Sequence, residues 1–245
     1  NQTQTKPEKV REQLLGMVRK ELGPDYDVEK HFTPTYKPWE QRLCLVPDSD
    51  LFEAIKSGKA DVATDHIESF TADGIRLKSG ETLEADIIVS ATGLNLQYMN
   101  GIEASIDGKP IHAGELLNYK GVMLSNVPNM ALTFGYTNAS WTLKADLTSE
   151  YVCRVLNHMT ETGTTSVMPY LDHFPAETDP FVVGFSSGYF ARAIDTLPRQ
   201  HKEKPWKLNM NYREDMKNLR KAPIEDGVLT FSGDREAAVI LQAAE

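Results

Sequence analysis

The sequence predicts an α/β protein, and three observations carry that prediction. Apolar segments with the 3.6-residue period of a helix alternate along the chain with short apolar runs bounded by turn residues. One of those runs, in Ala85–Gln97 (ADIIVSATGLNLQ), is led by an acid and stops abruptly at Ala-Thr-Gly. The 245 residues are 40% hydrophobic and 25% charged, an ordinary soluble-globular balance with enough chain to bury a core.

Taken in order, Lys9–Leu22 reads as a helix, with Val10, Leu14, Met17, Val18 and Leu22 at spacings of three and four and Gly23-Pro24 ending it. The proline- and aromatic-rich stretch that follows reads as a long ordered loop or a domain boundary. Asp50–Ser57 reads as a short helix closed by Gly58. Strands are expected at Asp61–Thr64, Ile67–Phe70, Ile75–Lys78 and Ile87–Ala91, with a hairpin over Ile75–Ala85. A second hairpin is expected in EASIDGKPIHA, turned by Asp107-Gly108.

Gly121–Ser125 and Met130–Phe134 read as buried strands. A helix of about 20 residues then carries Leu143, Leu147, Tyr151, Val155 and Met159 every four residues, flanked by Val152 and Leu156. Asn138 or Ser140 suits its N-cap and Gly163 its C-cap. Beyond Pro180 the pattern weakens, leaving a basic helix over Tyr212–Lys221 and a short strand at Val228–Phe231.

Composition narrows function. The net charge of −9 disfavours a nucleic-acid surface, although basic residues cluster over Lys202–Lys221, read as a solvated helix face. No apolar run reaches the roughly 20 residues that span a bilayer, and the first residues carry no signal-peptide core. Cys44 and Cys153 have no metal-ligand spacing and read as buried, reduced thiols of a cytoplasmic protein. The six histidines form no metal-binding pattern, so no metal is expected. A G-x-S-x-G elbow is absent. Asp195, Glu225 and Asp226 read as solvated charge.

A strand ending in Thr92-Gly93 has two readings. Glycine permits positive φ and close approach, so backbone N–H groups there can meet a cofactor at the carboxyl end of a sheet; equally, the pair is a turn closing a core strand. With its flanking residues, EADIIVSATGLNLQ resembles the Asp-x-x-x-x-Ala-Thr-Gly motif of flavin-containing monooxygenases and their Baeyer–Villiger relatives. Three further segments are similar to that family in the same order. HFTPTYKPWEQRLCLVPDSDLFEAI resembles its arginine-bearing active-site loop, GVMLSNVPNMALTFGYTNASWTLKADL its flavin-proximal strand–loop–helix, and PWKLNMNY its C-terminal tryptophan segment. The ethionamide-activating subgroup is the nearest in kind. The resemblance is good over residues 32–159 and looser elsewhere.

The resemblance implies a two-domain, Rossmann-like FAD/NAD(P) flavoprotein fold. It also implies a cytoplasmic oxidoreductase that uses FAD and NADPH. NADPH reduces the flavin, O2 adds to give a peroxyflavin, and oxygen is inserted beside a ketone carbonyl or added to sulfur. The organic chemistry belongs to the cofactor. Arg42 aligns with the family's catalytic arginine, and a guanidinium, always cationic and fork-shaped, suits negative charge developing on oxygen. An interdomain salt bridge is the alternative role. Thr92, Gly93, Asn138, Ser140, Trp141 and Thr142 are implied flavin contacts; helix capping alone would also account for Asn138 or Ser140. Trp206 aligns with a family tryptophan that reaches the nicotinamide cofactor, though it is equally suited to a core; Asn211 aligns with a family asparagine and is an implied cofactor contact, while Asn209 departs from a common glycine.

The family's two glycine-rich pyrophosphate turns are not found, since none of the sixteen glycines forms a G-x-G. The expectation is therefore the C-terminal half of such an enzyme. Residues 1–91 would complete its NADP-binding domain and residues 92–245 its FAD-binding domain, the N-terminal half being either part of a longer chain or a separate partner. An N- or S-oxygenating flavin monooxygenase and a non-catalytic remnant that binds a partner are the alternatives.

Overall fold

The computed structural model describes residues 2–44 and 46–233. The last residues of the expected FAD-domain segment, 234–245, lie outside them. The chain divides into two compact units, one ending at Leu94 and the other beginning at Asn95.

In the first unit, α1 (Gln2–Thr5) precedes α2 (Pro7–Leu22), which starts on a proline and carries Glu8 in its first turn and Arg19 and Lys20 in its last. Those charges complement the helix dipole. Its expected apolar face is only partly covered: Leu15 is buried, and Met17 is exposed. The Asp27 carboxylate accepts from the Lys30 N–H at 3.0 Å and caps α3 (Val28–His31). Helix α4 (Asp50–Lys56) forms as expected.

Strands β1 (Ile67–Phe70), β2 (Gly74–Leu77) and β3 (Thr82–Glu84) make one antiparallel sheet in sequence order, so the expected hairpin is present. Asp61–Thr64 and Ile87–Ala91 are not strands. A strand needs a neighbour for its N–H and C=O groups. No described ladder supplies one, and Ile87 and Val89 are each 82% exposed.

The second unit opens with the β4–β5 hairpin (Ser105–Ile106 and Lys109–Pro110). Asp107 and Gly108 both take positive φ, 50° and 76°, as the tight two-residue turn requires. Strands β6 (Asn118–Tyr119) and β7 (Met123–Leu124) pair antiparallel and are buried. Among the described residues Met130–Phe134 joins no ladder; the Leu132 N–H donates to the Val122 carbonyl.

The long helix α5 (Trp141–Thr162) ends at Gly163 and is the axis of the unit. Its buried stripe is Lys144, Leu147, Thr148, Tyr151 and Val155, rotated from the expected one, so that Leu143 and Leu156 lie exposed. Strand β8 (Ser166–Pro169) pairs antiparallel with β11 (Leu229–Ser232), and β9 (Asp179–Pro180) with β10 (Arg199–Gln200). Helix α6 spans Gly188–Ala193. The expected basic helix is a single turn, α7 (Tyr212–Asp215), widening into a π-helical turn over Met216–Lys221. Arg220 is engaged there with Glu150 and Asp146. The architecture is mixed α and β, and every named strand pair among the described residues is antiparallel.

Two apolar clusters hold the second unit. One packs Leu147, Tyr151 and Val155 of α5 against Leu117, Tyr119, Val122, Val167, Trp206, Leu219 and Leu229. The other gathers Phe181, Phe190, Leu197 and Leu208, with Phe134 against them. Both cysteines are exposed, contrary to expectation. Cys153 sits two residues before buried Val155, about 200° around the helix and so on its solvent side.

Asp226 is exposed as a residue, but its carboxylate is drawn into a hydrogen-bonded network. Its carboxylate accepts from the Tyr119 hydroxyl and pairs with Lys120 Nζ, each at 2.7 Å, and takes the backbone N–H groups of Val228 and Leu229. Burial pushes the Asp226 pKa upward, but Lys120, the Leu229 N–H and Tyr119 outweigh it and hold the carboxyl below its usual range. The neighbouring Tyr151 phenol is raised to about 12, mainly by burial.

Because the Asp226 pKa is depressed by folding, its contribution is present above the unfolded-state value and is lost as pH falls through the folded one. Asp226→Asn should cost about 1–3 kcal/mol near neutral pH. In urea unfolding, the gap between wild type and variant should shrink steadily below about pH 4.

Candidate functional site at the start of the long helix

The segment leading into α5 is held from several sides. Tyr136 is buried, and its hydroxyl donates to Asp215 Oδ2 at 2.8 Å. Asn138 Nδ2 donates to the Met210 carbonyl at 3.0 Å, tying the loop to the residue before Asn211. Asn211 in turn accepts from the N–H groups of Arg213 and Glu214 and caps α7.

Ser140 occupies the N-cap position of α5 with extended backbone, yet its side chain caps no N–H. The Ser140 and Thr142 hydroxyls instead share a hydrogen bond of 2.7 Å. First-turn N–H groups of a helix lack intrahelical acceptors. This 22-residue helix carries no acid in its first turn either, so its positive end is left without a side-chain counter-charge there. Such an end suits a carbonyl or anionic oxygen.

Trp141 forms the apolar side of this turn. It is half exposed, and its ring stands 5.5 Å from that of Phe134. Gly135 makes room for it: a Cβ there would fall 2.2 Å from Trp141 Cγ. A polar helix start beside a half-exposed indole can take a flat heteroaromatic group with polar edges.

Lys144 follows one turn later and is almost wholly enclosed. Its ammonium donates to Asp215 Oδ2 at 2.9 Å and to the Lys120 carbonyl at 3.2 Å. Burial lowers its pKa, opposed by the attraction of Asp215. Gly121, with φ 70°, lets the chain turn against it; a Cβ there would sit 3.1 Å from Lys144 Nζ.

Of the residues expected at a site, Asn138, Ser140, Trp141 and Thr142 lie within five positions around one helix start, with Asn211 reached through Met210. Trp206 lies 9% exposed in the core, its ring edge-on to Tyr119 at 5.8 Å. Arg42, Thr92 and Gly93 belong to the first unit. Arg42 is exposed and follows a tight turn, in which the Lys37 N–H donates to Glu40 Oε2 and Trp39 takes φ 72°. Thr92 and Gly93 are exposed, Gly93 at φ 111°. Tyr136, Lys144 and Asp215 were not among the residues expected there. The signal was a lysine three residues before Leu147 and seven before Tyr151, on the buried stripe of a helix.

Among the described residues, no group of three or more His, Cys, Asp or Glu side chains could hold a metal ion. No described helix is long and apolar enough to cross a membrane.

Sequence comparison finds the chain similar to proteins named as FAD-binding or FAD-containing monooxygenases. Over 225 residues it is 52% identical to an Acinetobacter protein named "Probable FAD-binding monooxygenase AlmA", covering 92% of this chain and 45% of that protein. It is 51% identical over 226 residues to the "FAD-containing monooxygenase EthA" of Mycobacterium tuberculosis, covering 92% and 46%. The Mycolicibacterium smegmatis protein of the same name is 48% identical over 231 residues, 94% and 47%. The chain thus spans about half the length of the curated relatives it matches. No family model and no solved structure matches it.

Gly135→Ala should displace the Trp141 ring, since the added methyl would overlap it. Overpacking of this kind costs about 1–3 kcal/mol. Near-UV circular dichroism should change at the indole bands while the far-UV signal of α5 is retained.

Proposed function

We propose that this chain supplies the C-terminal half of an FAD- and NADPH-dependent monooxygenase of Baeyer–Villiger type. The substrate would be a small ketone or a thioether-type sulfur compound, and the oxygen atom would come from O2. The observation that carries the proposal is identity of about one half to FAD-containing monooxygenases over nine-tenths of the chain, a match supported by the uncapped start of α5.

In this proposal, residues 1–91 belong to the NADP-binding domain and residues 92–245 to the FAD-binding domain. The α5 start, through the N–H groups of Trp141 and Thr142 and the polar side chains of Asn138 and Ser140, would hold the polar edge of the flavin. Thr92 and Gly93 of the first unit are proposed as flavin contacts on the resemblance alone, a glycine allowing close approach of backbone. FAD, when bound, supplies electron transfer from NADPH and activation of O2. Trp206 and Asn211 would shape the nicotinamide side through the segment they anchor. Arg42 would hold negative charge that develops on oxygen during insertion, a role suited to its fixed cation and several donors. Overall, one oxygen atom enters the substrate, the other leaves as water, and NADPH plus a proton supplies the two electrons.

The chain has no G-x-G turn for a pyrophosphate. Purified alone, it should show no stoichiometric flavin absorbance between about 350 and 500 nm. Fused behind the first half of the 52%-identical Acinetobacter protein, it should bind FAD, oxidise NADPH and convert a ketone to an ester. A fusion that folds but binds no flavin overturns the proposal, and oxygenation of a thioether or amine alone would reassign it to N- or S-oxygenation.

In that fused enzyme, Arg42→Ala should reduce ester formation by about 10²–10³ while flavin reduction by NADPH slows far less. Stopped-flow measurement separates the two half-reactions. A structural arginine would lower thermal stability and slow both alike.

A further inference from the structure

We infer that Tyr136, Lys144 and Asp215 form a positioning device that sets the start of α5, the same turn proposed above to meet the flavin. The inference rests on that proposal for its functional meaning and on the geometry for its physics. Asp215 Oδ2 receives both the Tyr136 hydroxyl at 2.8 Å and the Lys144 ammonium at 2.9 Å. Tyr136 lies four residues before Ser140 and Lys144 four residues after it. One carboxylate oxygen therefore grips the chain on both sides of the helix start.

The three groups are enclosed: Tyr136 is 1% exposed, and the side chains of Lys144 and Asp215 are 1% and 2% exposed. A charge taken out of water tolerates little freedom of position, because moving away from its partner leaves it uncompensated. The second Lys144 contact, to the Lys120 carbonyl, fixes the approach direction of the ammonium. Asp215 closes α7, whose cap is Asn211, and the neighbouring Met210 carbonyl holds Asn138. The helix start is thus referenced to the 210–215 segment by two routes, one charged and one neutral. A lysine near the positive end of a helix is itself unfavourable. Its presence there is understandable only with Asp215 beside it.

These are positioning residues, not catalytic ones. Their role is read from Trp141, which sits on the turn they set, in a chain whose other two tryptophans are Trp39 and Trp206. With 5-fluorotryptophan incorporated into the full chain, 19F NMR gives a separate resonance for each, assigned by single Trp→Phe variants. The triple variant Tyr136→Phe, Lys144→Met, Asp215→Leu replaces the ionic cluster by apolar groups of similar volume, a kind of exchange that often preserves stability.

The expected result is a thermal midpoint at or near the wild-type value and an unmoved Trp206 resonance. The Trp141 resonance should shift and broaden. A Trp141 resonance that coincides with wild type overturns the inference. Should the triple variant fail to fold, Tyr136→Phe alone removes one grip and leaves the ion pair, and an unmoved Trp141 resonance there overturns it equally. FAD binding by the fused enzyme is a separate measurement. Its failure would defeat the flavin assignment while leaving the Trp141 result to judge the positioning device.

Discussion

The second unit depends on an ion pair that water barely reaches. Lys144 and Asp215 meet at 2.9 Å on the buried side of α5, and the cost of desolvating both charges is offset only while they remain together. The pair therefore acts as a fixed point. It brings together three segments far apart in sequence: the 120–121 turn, the α5 start and the 211–215 turn. A second pair, Lys120 with Asp226, joins the same turn to the approach to β11, where Asp226 also receives the Tyr119 hydroxyl. Both lysines come from the middle of the chain and both aspartates from its later part. Closing these pairs seats the Trp206-containing segment against Tyr119, and the apolar cluster fills the space between.

The first unit is built differently. Its buried apolar side chains, among the described residues, are Leu15, Val28 and Leu77, and its one sheet leaves much apolar surface open. The segment of Ile87, Ile88 and Val89 has a strand's composition but no ladder. A β-strand is a property of a pair, and composition supplies only half of it. The chain spans about half the length of its curated relatives.

Much of the second unit was legible one residue at a time. Gly163 closes the helix, Asp107-Gly108 turns the hairpin, and Ser140 takes the N-cap position, because each depends on local backbone preference. The consecutive residues Asn138 to Thr142 necessarily arrive at one place. Which of their hydrogen-bonding groups remain open was not legible: the Ser140 hydroxyl turns to Thr142, and Asn138 turns to the Met210 carbonyl, a partner 72 residues away. The cysteines were misjudged for the same reason, since exposure depends on what packs above a residue and not on its type.

What the sequence by itself determined was the helical periodicity of α2 and α5, the turn chemistry between short strands and the identity shared with FAD-containing monooxygenases. These follow from local sterics and from residue-by-residue similarity. Only the tertiary structure decided that α5 turns Lys144 inward and leaves Leu143 and Leu156 in solvent. A pattern of apolar residues measures hydrophobicity alone. It cannot register that a lysine, given a buried aspartate 71 positions later, is held more firmly inside than a leucine on the flank.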